Sequence, residues 1–384
     1  MSNNTKETKK AIVIRNISLF LLVANLVYFK ISFIPPYIWR FSFVAISLYA
    51  IAKGGKKISS TEKYILFFIL LNLLHFFISY LWHIPNVTTI GNILVALFAF
   101  PLFCYIARRG GITQKFTNIA IIILIWACIL SYYHLRDIAY ATGTISDLAT
   151  FTNNMTTSFV MILPLIIICK NNLIKFGGLI ICVFFIISGA KRGNIIAAAI
   201  PLAIIFYSMI RTYKRNLFKI LLSFVAIIIL SYYVNKWIVT NDYLMYRIEQ
   251  TMEGQSSHRD EIYTEAWQLW STSDNTTNMV IGYGFDGTLN NMSNGHYAHN
   301  DWLEILVDYG LIGILSYLLI FFSIIKNIIR TKETDIKLIL LACFSIWFLK
   351  TLFSMGFTEE NLAVLMISMG YAYGHSKTEK ATLS

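Results

Sequence analysis

The chain has 384 residues, 57% of them hydrophobic and only 14% charged. Soluble globular chains carry about one quarter charged residues, so this balance excludes an ordinary soluble domain and points into lipid. Its 32 Lys and Arg outnumber 20 Asp and Glu, for a net charge of +12, but the excess sorts by loop and needs no nucleic-acid partner.

A polar start, with Lys6, Lys9 and Lys10, precedes an apolar run that lacks a small-residue cleavage site. That run is read as a first span and not as a removed signal peptide. Apolar runs long enough to cross a bilayer, roughly 17–25 residues each, lie at 12–29, 36–52, 63–82, 90–106, 117–133, 152–169, 174–190, 194–210, 217–235, 301–325, 337–355 and 360–374. Pro35-Pro36, Pro85 and Pro101 stand at or near span ends, whereas Pro164 and Pro201 lie inside and predict kinks. Trp39, Trp82, Trp237 and Trp302 fall near the ends that face one common side, where an amphipathic ring prefers the headgroup region. The fold class is therefore an all-α polytopic membrane protein with about twelve transmembrane helices. Residues 1–235 carry nine of them, 236–300 form one large outer loop, and 301–384 carry the last three and a tail.

Loops on one side hold 22 Lys and Arg against 5 acidic residues, and those on the other hold 8 against 15. The positive-inside rule puts both termini and the basic loops in the cytoplasm. The five cysteines, Cys104, Cys128, Cys169, Cys182 and Cys343, sit in apolar runs without CxxC spacing and read as core residues. Few ionisable groups fall inside spans. Arg15 and Lys350 lie about one turn from span ends and are expected to snorkel, and His75 is expected to be a hydrogen-bonded packing residue. A carboxylate relay through the spans is lacking, which argues against ion-coupled transport.

Polar chemistry gathers on the outer side in three places. Ser188-Gly189-Ala190-Lys191-Arg192-Gly193-Asn194 puts two cations in a glycine-flanked turn, suited to a phosphate; the alternative is a solvated turn. Ser257-His258-Arg259-Asp260 has capping-box spacing, and Ile262, Tyr263, Ala266, Trp267, Leu269 and Trp270 follow at helical spacing. This predicts an amphipathic helix lying on the outer membrane surface. Its Arg259 fits a catalytic role and a simple ion pair with Glu249, Glu253 or a headgroup equally well. Third, His296-Tyr297-Ala298-His299-Asn300-Asp301-Trp302-Leu303-Glu304 runs into a span. At a helix entry the dipole disfavours charged imidazole, while Asp301 and Glu304 favour it, so the spacing leaves the state of His299 open. A metal site on His296, His299, Asp301 and Glu304 matches no strong ligand pattern and is the weaker reading. Gly282-Tyr283-Gly284-Phe285-Asp286-Gly287 matches GxGxxG but lacks a βαβ setting; it reads as a turn packed under the loop.

These residues resemble the O-antigen ligase/O-antigen polymerase family of bacterial membrane glycosyltransferases. The resemblance rests on HNDWLEILVDYGLIG (299–313), SHRDEIYTEAW (257–267), IGYGF (281–285), SGAKRG (188–193) and TNNMTTSFVMILPL (152–165). It covers roughly residues 150–325, and it departs from the pattern at Lys191, where a serine commonly precedes the arginine. It implies a GT-C-like fold in the bacterial inner membrane with a periplasmic active site. The donor would be an undecaprenyl-diphosphate-linked oligosaccharide. The acceptor would be a glycan, as in a repeat-unit polymerase, which is the preferred reading, or lipid A-core, as in a ligase. Arg192 and Arg259, with Lys191 or Arg136, would hold the diphosphate. His299 would deprotonate the acceptor hydroxyl, and Asn300 or Glu304 would orient it. Transfer would invert the anomeric centre without metal or cofactor. Membrane lipids, a flippase and a chain-length regulator would be its neighbours. A lipid-glycan flippase or transporter is the alternative from another class, disfavoured by the uneven outer loop and the lack of two-fold repetition.

Overall fold

The computed structural model describes residues 2–30, 34–54, 58–142, 155–189, 191–213, 259–293 and 295–382, and no strand occurs among them. The helices are α1 (Ser2–Leu26), α2 (Pro36–Gly54), α3 (Ser60–Ser79), α4 (Val87–Arg108), α5 (Gln114–Thr142), α6 (Thr157–Ile168), α7 (Asn172–Ser188) and α8 (Arg192–Tyr213). After 258 come α9 (Arg259–Ser271), α10 (Thr276–Ile281), α11 (Gly287–Asn291), α12 (Asp301–Arg330), α13 (Thr334–Phe353) and α14 (Leu362–Thr382). They overlap every predicted apolar run except 217–235, which lies outside the described residues together with Ser257 and His258 of the predicted capping box.

Six helices, α3, α4, α5, α8, α12 and α13, contain stretches long and apolar enough to cross a membrane; α6 and α7 are shorter apolar helices. The chain is thus an all-helical membrane protein, since in lipid every backbone N–H and C=O needs an internal partner. Helix ends are capped where the sequence offers the means. Ser59 and Glu62 form a capping box at α3, and Asn86, Asn171 and Asn300 cap α4, α7 and α12. Pro36 opens α2 at the position where its missing N–H costs nothing. Pro101 lies inside α4 and not at its end, which corrects the sequence expectation; Pro164 and Pro201 lie inside α6 and α8 as expected.

At the centre is α4, with 78% of its apolar window buried, against 39% for α8 at the edge. α14 lies along α4 because Gly370 and Gly374 leave room for it. A Cβ on Gly370 would meet the Phe100 carbonyl oxygen at 2.6 Å, and one on Gly374 the Cys104 carbonyl oxygen at 2.7 Å. Small residues four apart let two helices approach closely where lipid gives no hydrophobic drive between them. Arg15 is buried and donates to the Gly111 carbonyl over the Phe116 ring, so it is tied into the adjacent turn. His75 packs edge-on against Tyr309, with ring centroids 4.9 Å apart.

The longest helix, α12, is broken at Gly310 (φ 61°, ψ −156°). The break frees the carbonyls of Val307 and Asp308, which accept from the amides of Tyr283 (2.8 Å) and Gly284 (3.0 Å). Gly282 and Gly310 face each other across this contact. A Cβ on Gly282 would lie 2.3 Å from the Asp308 carbonyl, and one on Gly310 2.5 Å from that of Val280. The glycines of the GxGxxG segment therefore allow one backbone to dock on another, with no nucleotide involved.

Candidate functional site

Three segments meet at the end of the bundle that holds the C-termini of α7 and α13 and the N-termini of α8 and α12. The first is the turn from α7 into α8. Asn194 is fully buried and bridges to α6, donating to Thr156 Oγ1 (2.9 Å) and accepting from Thr157 Oγ1 (3.0 Å). Gly189 lies against Thr156, with no room for a Cβ, which would sit 2.4 Å from that side chain. The turn is thereby held from beneath, and Lys191 projects from it half-buried. Arg192 opens α8; its side chain lies outside the described residues.

The C-terminus of α13 is the hub. Its last carbonyls have no helical partners, and the negative end of the helix dipole favours cations there. Arg259 Nη1 donates to the Phe353 carbonyl at 2.7 Å. Asn300 Nδ2 and the Tyr263 hydroxyl both donate to the Leu352 carbonyl, at 3.2 and 3.4 Å, and the Trp302 indole donates to Thr351 Oγ1 at 3.0 Å. Gly193 of α8 abuts Phe353, so the same helix end joins all three segments.

The helix bearing Arg259 does not use its apolar face as the sequence suggests. Ile262, Ala266, Leu269 and Trp270 pack with Met292, Ala298, Leu303 and Val307. The face predicted to rest on lipid is covered by α12 and the adjoining turn, and Trp267 stays exposed. Burial against protein gives Arg259 a defined position that a surface-lying helix would lack.

His299 precedes α12 in a left-handed conformation (φ 52°), uncommon for a residue with a side chain. Two contacts enforce it. Asn300 caps α12, accepting from the amides of Trp302 (2.9 Å) and Leu303 (3.2 Å). On the other side, Glu304 Oε2 accepts the Ala298 N–H at 2.7 Å, and its Oε1 accepts from the Thr288 hydroxyl. The imidazole, which remains open to solvent, is held below its ordinary pKa of 6.5. Partial burial lowers it first; the charges of Arg259, Lys191 and His296 add to this, and Glu359 opposes it. Burial pushes Lys191 down to about 8, helped by Lys350 and Arg259, again against Glu359. These mutual influences place Lys191, Arg259, His299, Lys350 and Glu359 in one electrostatic cluster.

Two cluster members escape sequence reasoning. Lys350 is expected to snorkel, yet its side chain is buried and its ammonium donates to both Glu359 oxygens, at 2.8 and 3.0 Å. Glu359 lies in the short link between α13 and α14, where nothing in its spacing marks it. The neighbouring Glu360 anchors that link by accepting from Asn25 (3.1 Å) and pairing with Arg40 (3.6 Å). A cation one turn from a span end with a carboxylate nine residues on is the signal that was there to read.

The carboxylates named with His299 turn elsewhere. Asp301 is fully buried and accepts from the Gly356 amide (2.6 Å) and the Tyr317 hydroxyl (2.8 Å). Glu304 is 1% exposed. Their different partners keep them from converging on a cation with His296. Arg136 lies on α5, its guanidinium 4.5 Å over the Tyr133 ring and 3.7 Å from Asp137.

Residues 177–318 match the family model of the O-antigen ligases. The matched segment includes Lys191, Arg192, Arg259, His299, Asn300 and Glu304, and the resemblance to the O-antigen ligase/polymerase family of membrane glycosyltransferases holds over it. No curated protein matches the chain.

Proposed function

We propose that this chain, similar over residues 177–318 to the O-antigen ligases, transfers an undecaprenyl-diphosphate-linked glycan to an acceptor hydroxyl on the outer face of the bacterial inner membrane. The reading carries both termini in the cytoplasm and a polymerase role, with the next lipid-linked repeat unit as acceptor. The observation that carries it is the meeting, at the C-terminus of α13, of Arg259, the Lys191 turn and the His299 segment, where burial and then these cations lower the pKa of His299. Cations suit a diphosphate that must leave with its charge; a neutral imidazole suits a hydroxyl that must lose its proton.

In this mechanism Arg259 and Lys191, joined by Arg192 and Arg136, bind the diphosphate. Arg259 spends one N–H on the Phe353 carbonyl, which leaves donors in its planar fork for phosphate oxygens. His299 takes the acceptor proton as the hydroxyl oxygen attacks the anomeric carbon and the bond to the diphosphate oxygen breaks, with inversion. The two requirements are coupled. Before the donor binds, burial and then the cations disfavour the imidazolium; once the diphosphate neutralises the cations, the imidazole becomes more basic as the proton must move. Asn300 and Glu304 act on His299 through the backbone, by the cap and by the Ala298 amide.

The matched family model supplies a second reading, a ligase with lipid A-core as acceptor. Purified protein in liposomes is given an undecaprenyl-diphosphate repeat unit, with and without lipid A-core. A ladder of products formed without lipid A-core is expected. Product only in its presence would replace the polymerase by the ligase, and no product with donors from several serotypes would overturn the transferase reading.

A further inference from the structure

At the end of the bundle opposite the His299 cluster lies a cavity of about 1090 Å³ enclosed by α2, α3, α4 and α12. Three of its walls share one gradient. On α12, Leu319 and Phe322 lead at helical spacing to Lys326, Asn327 and Arg330, over about 16 Å at the α-helical rise. Leu66 gives way to Glu62 and the Ser59–Thr61 hydroxyls on α3, and Pro101 to Arg108 and Arg109 on α4. Each of these three walls is apolar toward the bundle middle and polar toward the helix end, while α2 adds Ala50, Ile51 and Gly54. Leu319 and Phe322 are 43% and 62% exposed, so the cavity opens sideways where lipid would stand.

The charge in this cavity is not balanced among the described residues. Glu62 is taken by Arg108, and Arg109 pairs with Glu7. Lys326 and Arg330 have no carboxylate partner among the described residues. Asn327 is 5% exposed and lines the cavity, yet its Nδ2 has no acceptor among the described residues. A buried amide without a partner is destabilising, so an acceptor that binds there removes a penalty already present in the fold.

We propose that this cavity is a binding site for an anionic phospholipid. The phosphate sits among Lys326, Arg330 and Asn327, and the acyl chains run along Leu319, Phe322 and Leu66. Basic pockets between transmembrane helices suit such headgroups because charge and apolar contact act on one molecule. The site does not depend on glycosyl transfer, since none of its residues belongs to the outer cluster.

Native mass spectrometry of the full chain in detergent tests this, with phosphatidylglycerol, phosphatidylcholine and inorganic phosphate as probes. Phosphatidylglycerol is expected to bind at least ten-fold more tightly than phosphatidylcholine, and Lys326→Gln with Arg330→Gln to remove that preference. Asn327→Leu is expected to weaken phosphatidylglycerol binding while the lipid-free protein melts no lower, which a purely structural asparagine would not do. Equal binding of the two lipids, or an unchanged double variant, would overturn the proposal. Displacement of phosphatidylglycerol by equimolar inorganic phosphate would also overturn it, in favour of a free-anion site.

Discussion

The segment from His296 to Gly310 has two sides with opposite designs. Toward the interior, Asp301, Glu304 and Asp308 are all buried on α12, and each accepts hydrogen bonds from the chain. Asp301 takes Gly356 and Tyr317, Glu304 takes Ala298 and Thr288, and Asp308 takes the Thr288 amide at 3.0 Å. Toward solvent, His299 lies under the charges of Arg259 and Lys191, and Glu359, which opposes them, is held by Lys350. Negative groups on the interior side are structural and satisfied, whereas Arg259 spends one N–H on the Phe353 carbonyl and keeps the rest of its fork. The difference teaches that acidic residues beside a candidate histidine need not be its partners. These hold the backbone that aims it.

The largest effects should come from breaking the solvent side. His299→Ala removes the base and should lower the transfer rate by about 10²–10⁴, with folded yield and melting temperature unchanged. Arg259→Ala should cost about 10²–10³ in rate, the typical loss for one electrostatic donor; Arg259→Lys restores charge without the planar fork and should recover only part. Turnover in the liposome assay beside a thermal melt separates these from folding defects.

Breaking the interior side should reverse the pattern. Glu304→Ala strands the Ala298 amide and the Thr288 hydroxyl, each costing about 1–3 kcal/mol when buried, so the melt should fall along with activity. A Glu304→Ala protein that melts like the native one but is inactive would make Glu304 a direct participant and dissolve the comparison. Asn300→Ala should cost about 1 kcal/mol as a lost helix cap, with a partial loss of rate.

The smallest effect is in pH, and its sign follows from the two groups outside the spans. His299 must be neutral, and its pKa lies below 6.5, so kcat/KM should hold down to that region and fall only under more acidic conditions. Lys191 must be charged to bind diphosphate, and its pKa of about 8 predicts a decline above that pH. Lys191→Arg should extend the alkaline side, because a guanidinium stays protonated.

Much of this was legible along the chain because it depends on local pattern. Apolar runs of membrane-crossing length mark helices, since water is absent to satisfy a bare backbone. Asn300 before Asp301 marks a helix start, and the histidine beside it, with the lysine and arginine of neighbouring turns, marks the candidate site. Arg259 was ambiguous because its spacing suits an ion pair as well as a phosphate; a 2.7 Å bond to the Phe353 carbonyl, 94 residues away, decides its position.

The sequence by itself determined what is periodic or adjacent: the all-helical membrane class, the glycine turn at 282–287, and the residue types of the turns around His299. Only the tertiary structure decided which groups are spent on the fold and which remain for a ligand. It buried Lys350 on Glu359, turned the apolar face of α9 onto α12 in place of lipid, and committed Glu304 to Ala298 and Thr288. Such outcomes depend on what lies opposite a side chain in the folded bundle, which spacing along the chain does not give even when the partners are only six to sixteen residues apart.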